Sequence, residues 1–269
     1  MEPISLKDYY NKMVQVQLSL HINESLEDEI FHHLRNGVLV LCAYMRMVRH
    51  PNRAREKEFL LQTSKITDQI RTQVDDMLRS VREDETRLGV KMLPLTRIIE
   101  KPELMTKEAF EAISAYNDEL MTVSDEFRTI RKYAEIEVLK ASGLVEPDFD
   151  IAADRKLNRY YQKLVEVQLS VKTALALNDE MTKYFGMTQE AINLMAPITT
   201  ETMRLNVLAL RLLDLTVIKP EMVTPQNFVE LSAFNDRLRS VSRSFREIHM
   251  QAEIAMLKER ELVHPSFTL

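Results

Sequence analysis

One segment of the sequence occurs twice. Residues 101–149 read KPELMTKEAFEAISAYNDELMTVSDEFRTIRKYAEIEVLKASGLVEPDF, and residues 219–267 read KPEMVTPQNFVELSAFNDRLRSVSRSFREIHMQAEIAMLKERELVHPSF. The two segments align without a gap, and 24 of the 49 aligned positions carry the same residue. Such identity within one chain indicates a tandem duplication, so we expect two units that fold in the same way.

The repetition reaches back to the start of each half. Residues 9–19 match residues 160–170 at a spacing of 151 residues, whereas the later segments match at a spacing of 118. The first half therefore contains 33 residues more than the second, between about Leu34 and Leu93. We expect two domains, a first helical-bundle repeat with a 33-residue insertion at 1–149 and a second helical-bundle repeat at 150–269.

Helices dominate the expected structure. The chain has four glycines in 269 residues, well below the usual share of about 7%, which indicates long helices with few tight turns. Side chains that cap backbone N–H groups mark helix starts, and glycines that adopt positive φ mark helix ends. These signals are Ser5 with Asp8, Thr106, and Thr224 with Pro225 at starts, and Gly143 and Gly186 at ends. They predict an all-α fold of about six long helices, in which each half is an antiparallel three-helix unit within a helical bundle.

The third helix of each half, at about 106–141 and 224–260, carries the clearest periodicity. Its residues follow the alternating three- and four-residue steps of a coiled-coil seam. The seam reads Phe110, Ile113, Asn117, Leu120, Ser124 and Phe127 in the first half, and Phe228, Leu231, Asn235, Leu238, Ser242 and Phe245 in the second.

The 33 extra residues of the first half allow two interpretations. Divided between the first two helices, they would lengthen each by about 16 residues and make the first half protrude. If Asn36 and Gly37 break the first helix instead, the extra residues form a separate short helix from Val38 to about Arg49. The two interpretations are nearly balanced, with a slight preference for the longer hairpin.

Polar residues in and beside the seam are the candidate ligand site. Buried asparagine and serine can specify the register of packed helices, or they can line a small polar pocket together with glutamines of the first helix. An arginine beside each seam could clamp a small anionic ligand, or extend along the core with its charge in water. The candidates are Gln17, Asn117, Ser124 and Arg128 in the first half, and Gln168, Asn235, Ser242 and Arg246 in the second.

The stretch from Val38 to Val48 is apolar on nearly all sides and has no counterpart in the second half. Such a helix must be covered either by its own core or by another chain. We therefore expect a local core or a surface for a protein partner or for self-association. The candidate interface residues are Val38, Val40, Leu41, Tyr44, Met45 and Val48. Glutamates dilute the basic residues that follow, so membrane contact is only a minor alternative.

No residue cluster meets the spacing rules for a catalytic, cofactor or metal site. Glu29 and His32 form one Glu-x-x-His step, but di-iron bundles need two such steps, and the second half has Glu180 and Lys183 at the matching positions. In outline the chain is similar to the PhoU phosphate-signalling proteins and to bimodular sensor domains of bacterial chemoreceptors. The similarity covers repeat and helix number alone, so no family is assigned and no metal or cofactor is expected.

Charge and cysteine content narrow the classes of protein. Lys and Arg total 36 against 41 Asp and Glu, and the net charge of −5 is spread in both signs, which argues against a nucleic-acid partner. The single cysteine, Cys42, needs no oxidising compartment, and the N-terminal residues lack a signal-peptide pattern. We expect a cytoplasmic protein or a soluble fragment of a membrane receptor.

Together these patterns predict a non-catalytic helical-bundle module that senses a ligand or binds a partner in signalling. The main alternative is a structural scaffold that oligomerises without a small-molecule ligand. A helical enzyme whose site follows no known motif is the third alternative.

Overall fold

All secondary structure in the described part of the chain is helical. The computed structural model describes residues 4–48 and 53–269. Among these residues, no helix combines the length and the apolar character that a membrane span requires. The helices are α1 (Leu6–Val48), α2 (Arg53–Leu88), α3 (Pro94–Glu100), α4 (Lys107–Ser142), α5 (Arg155–Phe185), α6 (Gln189–Leu205) and α7 (Pro225–Glu259), with 3₁₀ turns at Pro102–Leu104 and Pro220–Met222 and a π turn at Asp214–Ile218.

The extra residues of the first half lengthen its first two helices. α1 has 43 residues against 31 in α5, and α2 has 36 against 17 in α6. Helix α1 continues through Asn36 and Gly37, so no separate helix begins at Val38. One interior glycine costs a helix only about 1 kcal/mol, which the packing of a 43-residue helix outweighs. The longer-hairpin interpretation is confirmed for both helices, although α2 gains more than α1.

Local capping bonds explain where the helices start. The hydroxyl of Ser5 accepts from the N–H of Asp8 at 3.1 Å and donates to its carboxylate at 2.6 Å. Thr106 and Thr224 cap α4 and α7 in the same way, each through its side-chain oxygen. The short helix α3 begins with Pro94 in its first turn and was not predicted.

Each half contains two long helices that run in the same direction and a third that runs against them. α1 and α4 are parallel and α2 is antiparallel to them; in the second half α5 and α7 are parallel and α6 is antiparallel. The contacts that fix these directions are Ser19–Asn117, Glu29–Arg131, Arg82–Glu27 and Arg46–Glu56 in the first half, and Ser170–Asn235, Phe185–His249, Arg204–Glu230 and Arg237–Glu201 in the second.

The predicted seams lie in the core. Of the twelve seam residues, all are buried except Phe110 and Phe228, which are partly buried at the N-terminal ends of α4 and α7. Apolar burial of this kind is worth about 25 cal/mol per Å², so the seam contributes much of the stability of each half. The seam prediction is confirmed.

We expect Gly37→Ala to raise the free energy of unfolding by about 0.5–1 kcal/mol, because alanine favours a helix interior. Gly37 is buried beside a cavity of about 20 Å³, and no atom lies within 4 Å of the position that an added Cβ would take. Urea unfolding followed by circular dichroism measures the change.

Gly89→Ala is the matched control. Gly89 has φ +57°, and an added Cβ would lie 3.5 Å from the guanidinium of Arg97. A left-handed backbone costs a residue with a side chain about 1 kcal/mol, so this variant should be destabilised. A destabilised Gly37→Ala protein would show that the cavity beside Gly37 is not free to accept a methyl group.

Candidate functional site

The two seam asparagines join the parallel helices of each half. The hydroxyl of Ser19 donates to Asn117 Oδ1 at 2.9 Å, and that of Ser170 donates to Asn235 Oδ1 at 2.7 Å. Both asparagines are 1% exposed. These bonds fix the register between helices, which is the structural interpretation of polar seam residues. A ligand role for the asparagines stays a prediction.

The two candidate glutamines tie the first helix of each half to the backbone that follows the second helix. Both are buried, and each Nε2 donates twice to backbone carbonyls, at distances between 2.6 and 2.8 Å. The acceptors are Val90 and Met92 for Gln17, and Val207 and Leu210 for Gln168. Buried amides with two such bonds hold a turn in place.

The two candidate serines differ in their surroundings. Ser124 donates to Asn23 Oδ1 at 3.2 Å, and Asn23 Nδ2 in turn donates to the carbonyl of Leu120 at 2.9 Å. Ser242 is also buried, but Ala174 stands at the position that corresponds to Asn23. The first half therefore has an additional hydrogen bond between the seam and its first helix, through Asn23.

The two candidate arginines lie on the surface. Arg128 is exposed and its guanidinium is 3.2 Å from the carboxylate of Asp125. It lines a groove of about 480 Å³ together with Lys132 and Glu166. Arg246 is exposed on α7. The structure does not place either arginine close to the buried asparagines and glutamines. A small anion could therefore contact an arginine and these buried amides together only if the helices packed differently.

A different arginine, Arg131 of α4, is 1% exposed. Its Nε donates to Glu135 at 3.1 Å, its Nη2 donates to Gln168 Oε1 at 2.6 Å, and its Nη1 forms an ion pair with Glu29. A buried guanidinium is tolerated only when its charge is paired and its donors are bonded. Arg131 meets this requirement with one partner from each of α1, α4 and α5.

Glu135 extends this cluster to the backbone of the second half. Its Oε1 also accepts from the hydroxyl of Tyr161 at 2.9 Å, and its Oε2 accepts from the N–H of Leu212 at 2.6 Å. Burial, and then the charge of Glu135, raise the pKa of Tyr161 well above its usual value. We name this cluster the first centre; its members are Glu29, Arg131, Glu135, Tyr161 and Gln168.

The corresponding positions of the other half form a second centre. Its members are Glu180, His249, Glu253, Tyr10 and Gln17, in the order used above. Glu253 Oε1 accepts from the N–H of Thr96 at 2.7 Å and from its hydroxyl at 3.1 Å, as Glu135 accepts from Leu212. Histidine stands where the first centre has arginine. Within the described residues, the buried atoms Glu253 Oε2 and His249 Nε2 have no hydrogen-bond partner.

Burial controls the protonation of the second centre. Burial raises the pKa of Glu253 to about 7, although the hydrogen bonds from Thr96 lower it in part. It lowers the pKa of His249, which the charge of Glu180 raises only in part. Burial also raises the pKa of Tyr10, and the negative charges of Glu253 and Glu180 add to that increase. The second centre therefore carries less charge than the first.

A cleft of about 390 Å³ opens beside the second centre, between α1 and α5. In its wall, His21 Nε2 lies 3.7 Å from Glu180 and His21 Nδ1 lies 3.5 Å from Glu24. Hydrogen bonds to Glu180 and then to Glu24 raise the pKa of His21 to about 9. We name this the interhalf cleft; its polar residues include Gln17, His21, Glu24, Lys91, Glu180 and Lys183.

A larger groove of about 800 Å³ lies between α1 and α2. Leu34 and Thr63 are buried at its floor, whereas Leu39 is 60% exposed and Leu60 is 44% exposed along its walls. Charged residues of both signs surround this apolar strip. We name it the α1–α2 groove; its charged residues are Glu27, Arg35, Asp68, Arg71 and Asp75.

The candidate interface residues lie at the distal end of α1. Leu41 and Met45 are buried in the chain's own core, and Val38, Val40 and Tyr44 are partly buried. Val38 also lines the α1–α2 groove. The side chain of Val48 lies outside the described residues. A partner surface here would thus rest on Val38 and its exposed neighbours, and it stays a prediction.

Sequence reasoning missed Arg131 and His249. The seam stops at Phe127 and Phe245 in the prediction, yet one further step of four residues leads to these two positions. A charged residue at a seam position signals a buried polar cluster. The repeated glutamates and tyrosines were a second signal, because polar residues that recur in both halves mark shared buried contacts.

No protein-family model, curated protein or solved structure matches the chain. Across the described ranges 4–48 and 53–269, no group of three or more His, Cys, Asp or Glu side chains is arranged to hold a metal ion.

Arg131→Leu should lower the free energy of unfolding by about 3–5 kcal/mol, because it removes the buried ion pair between Arg131 and Glu29. Arg128→Leu, three residues away on the exposed face, should change it by less than about 0.5 kcal/mol. Urea unfolding followed by circular dichroism compares them. Equal effects of the two substitutions would contradict the role given to the first centre.

His21 should make stability depend on pH. Its pKa is about 9 in the folded protein and about 6.5 in an unfolded chain. The stabilisation is complete below pH 6.5 and is lost as pH rises to about 9. The total is at most about 3 kcal/mol, since one pKa unit corresponds to about 1.4 kcal/mol.

Urea unfolding at pH 6, 7.5 and 9 measures this loss. His21→Gln should remove most of the dependence between pH 7.5 and 9, whereas His264→Gln, at an exposed position on the C-terminal side of α7, should retain it. A wild-type profile that stays flat between pH 6.5 and 9 would disprove the ion pairing of His21 with Glu180 and Glu24.

Proposed function

We propose that the chain is a non-catalytic module, built by tandem duplication of an antiparallel three-helix unit, that binds an amphipathic helix of a protein partner in the α1–α2 groove. The single observation that carries the proposal is the exposure of Leu39 and Leu60 along an open groove between two long helices. Exposed apolar residues in a concave strip are typical of helix-binding surfaces.

The shape of the groove supports a helix as the bound element. The lining residues span 27–39 on α1 and 60–75 on α2, or about 18 and 22 Å at 1.5 Å per residue. A helix of about 12–15 residues has the matching length. Placed between α1 and α2 on the side away from α4, it would complete a four-helix arrangement, in which apolar faces are covered on all sides.

The groove also belongs to the part of the chain that distinguishes the two halves. Its α2 wall, residues 60–75, lies on α2, which has 36 residues and is longer than its equivalent in the second half. The equivalent helix there, α6, has 17 residues. The extra length therefore creates a surface that the second half lacks, and it supports a partner for this half alone.

A displayed library of helical peptides of 12–18 residues tests the proposal. Selection on the full chain should yield peptides with apolar residues at i, i+3, i+4 and i+7, the pattern of groove-binding helices. Leu39→Asp with Leu60→Asp should weaken their binding at least about tenfold, since each charge must be desolvated in the complex. Fluorescence anisotropy with labelled peptides gives the dissociation constants.

Leu61→Asp is the matched control, because Leu61 is 52% exposed on the same helix but does not line the groove. It should leave peptide binding unchanged. Peptides that bind the double variant as tightly as the wild type would refute the groove as the site. A dimer by light scattering that Leu39→Asp disrupts, with no peptide selected, would favour the scaffolding alternative.

A further inference from the structure

The two centres differ at one position. Four of five residue types are the same in both: a tyrosine, a glutamine and two glutamates. The fifth is Arg131 in the first centre and His249 in the second. Histidine has a shorter side chain, and burial lowers the pKa of His249.

The unpartnered oxygen of the second centre corresponds to one that Arg131 uses in the first. Glu135 gives one oxygen to the backbone N–H of Leu212 and the other to Arg131 Nε. Glu253 gives one oxygen to the N–H of Thr96, and its other oxygen, fully buried, has no hydrogen-bond partner among the described residues. An unbonded buried carboxylate oxygen costs about 1–3 kcal/mol or more unless something fills the gap.

The other two acceptors of Arg131 also have counterparts. Gln168 anchors its Nε2 on two backbone carbonyls, which leaves its Oε1 to accept from Arg131, and Gln17 anchors its Nε2 in the same way. Glu29 pairs with Arg131, and its counterpart is Glu180. The second centre therefore repeats the acceptors of a guanidinium site without the guanidinium.

The positive side chains around the two centres also correspond. Those near Glu29 are Arg131, Lys172 and His32. Their counterparts near Glu180 are His249, His21 and Lys183, and His21 contacts both Glu180 and Glu24. Within the centre itself, the second half therefore has a histidine where the first half has a guanidinium.

The interhalf cleft borders two residues of the second centre. Gln17 and Glu180 line the cleft, and they are also the counterparts of two partners of Arg131. A small molecule in the cleft could thus place a charged end against these residues. The aromatic ring of Tyr184 and the side chain of Leu20 supply apolar surface for the rest of it.

We propose that the second centre and the interhalf cleft bind a small organic cation, a guanidinium or a primary ammonium, whose charged end takes the place that the Arg131 guanidinium holds in the first centre. The cation donates hydrogen bonds to Glu253 Oε2, Glu180 and Gln17 Oε1. This site is separate from the α1–α2 groove and does not depend on a protein partner.

Calorimetric titration of the full chain with ethylguanidinium and butylammonium at pH 8 tests the proposal. The cations should bind saturably and raise the midpoint of thermal unfolding, as any ligand of the folded state does. Tetramethylammonium, which cannot donate hydrogen bonds, and ethylurea, which is neutral, should bind at least about tenfold more weakly.

Two variants locate the binding. His249→Arg should supply the missing guanidinium from within the chain, so it should raise the unfolding midpoint and weaken cation binding at least about tenfold. Glu180→Gln should weaken binding to a similar extent, whereas Asp179→Asn, at the rim of the same cleft, should leave it unchanged.

The proposal is overturned if the wild-type protein binds neither cation, or if it binds tetramethylammonium as tightly as the hydrogen-bonding cations. Equal binding by wild type and Glu180→Gln would also overturn it, and this comparison remains decisive if His249→Arg does not fold.

Discussion

The ion pairs and hydrogen bonds of Arg131 organise the contact between the two halves. A guanidinium that is 1% exposed must have each charge and donor satisfied, because removal from water costs several kcal/mol per ion. Glu29, Glu135 and Gln168 satisfy it from three helices. These helices cannot shift against one another without breaking a buried ion pair, so Arg131 specifies one packing arrangement among many that apolar seams alone would permit.

The second centre keeps the framework of the first but lacks its cation. Glu253 still caps the backbone of Thr96, and Gln17 still holds the turn at Val90 and Met92. These capping roles account for the recurrence of both residue types in the two halves. Histidine stands at position 249 where the first centre has Arg131, and one oxygen of Glu253 has no hydrogen-bond partner among the described residues.

Much of the fold followed from local chemistry in the sequence. Capping side chains such as Thr106 act within one turn, and the seam repeats along one helix, so both can be read without tertiary information. The length of α1 was harder to predict, because Gly37 weakens a helix locally, whereas the packing that outweighs this cost depends on tertiary contacts. The centres were not predicted, since Arg131 and Glu29 are distant in sequence and meet only after three helices pack. The asparagines were identified correctly as seam positions, but their role depends on serine partners in another helix.

Each half accepts a hydrogen bond from the backbone of the other half, and these two contacts affect how the chain folds and unfolds. Glu135 of the first half bonds the backbone of the second at Leu212, and Glu253 of the second half bonds the backbone of the first at Thr96. Each half thus completes a turn that the other half needs. A molecule with two seams could unfold in two stages, but exchanged contacts of this kind couple the seams. Loss of order around Glu135 or Glu253 therefore removes a hydrogen-bond partner from the backbone of the other half.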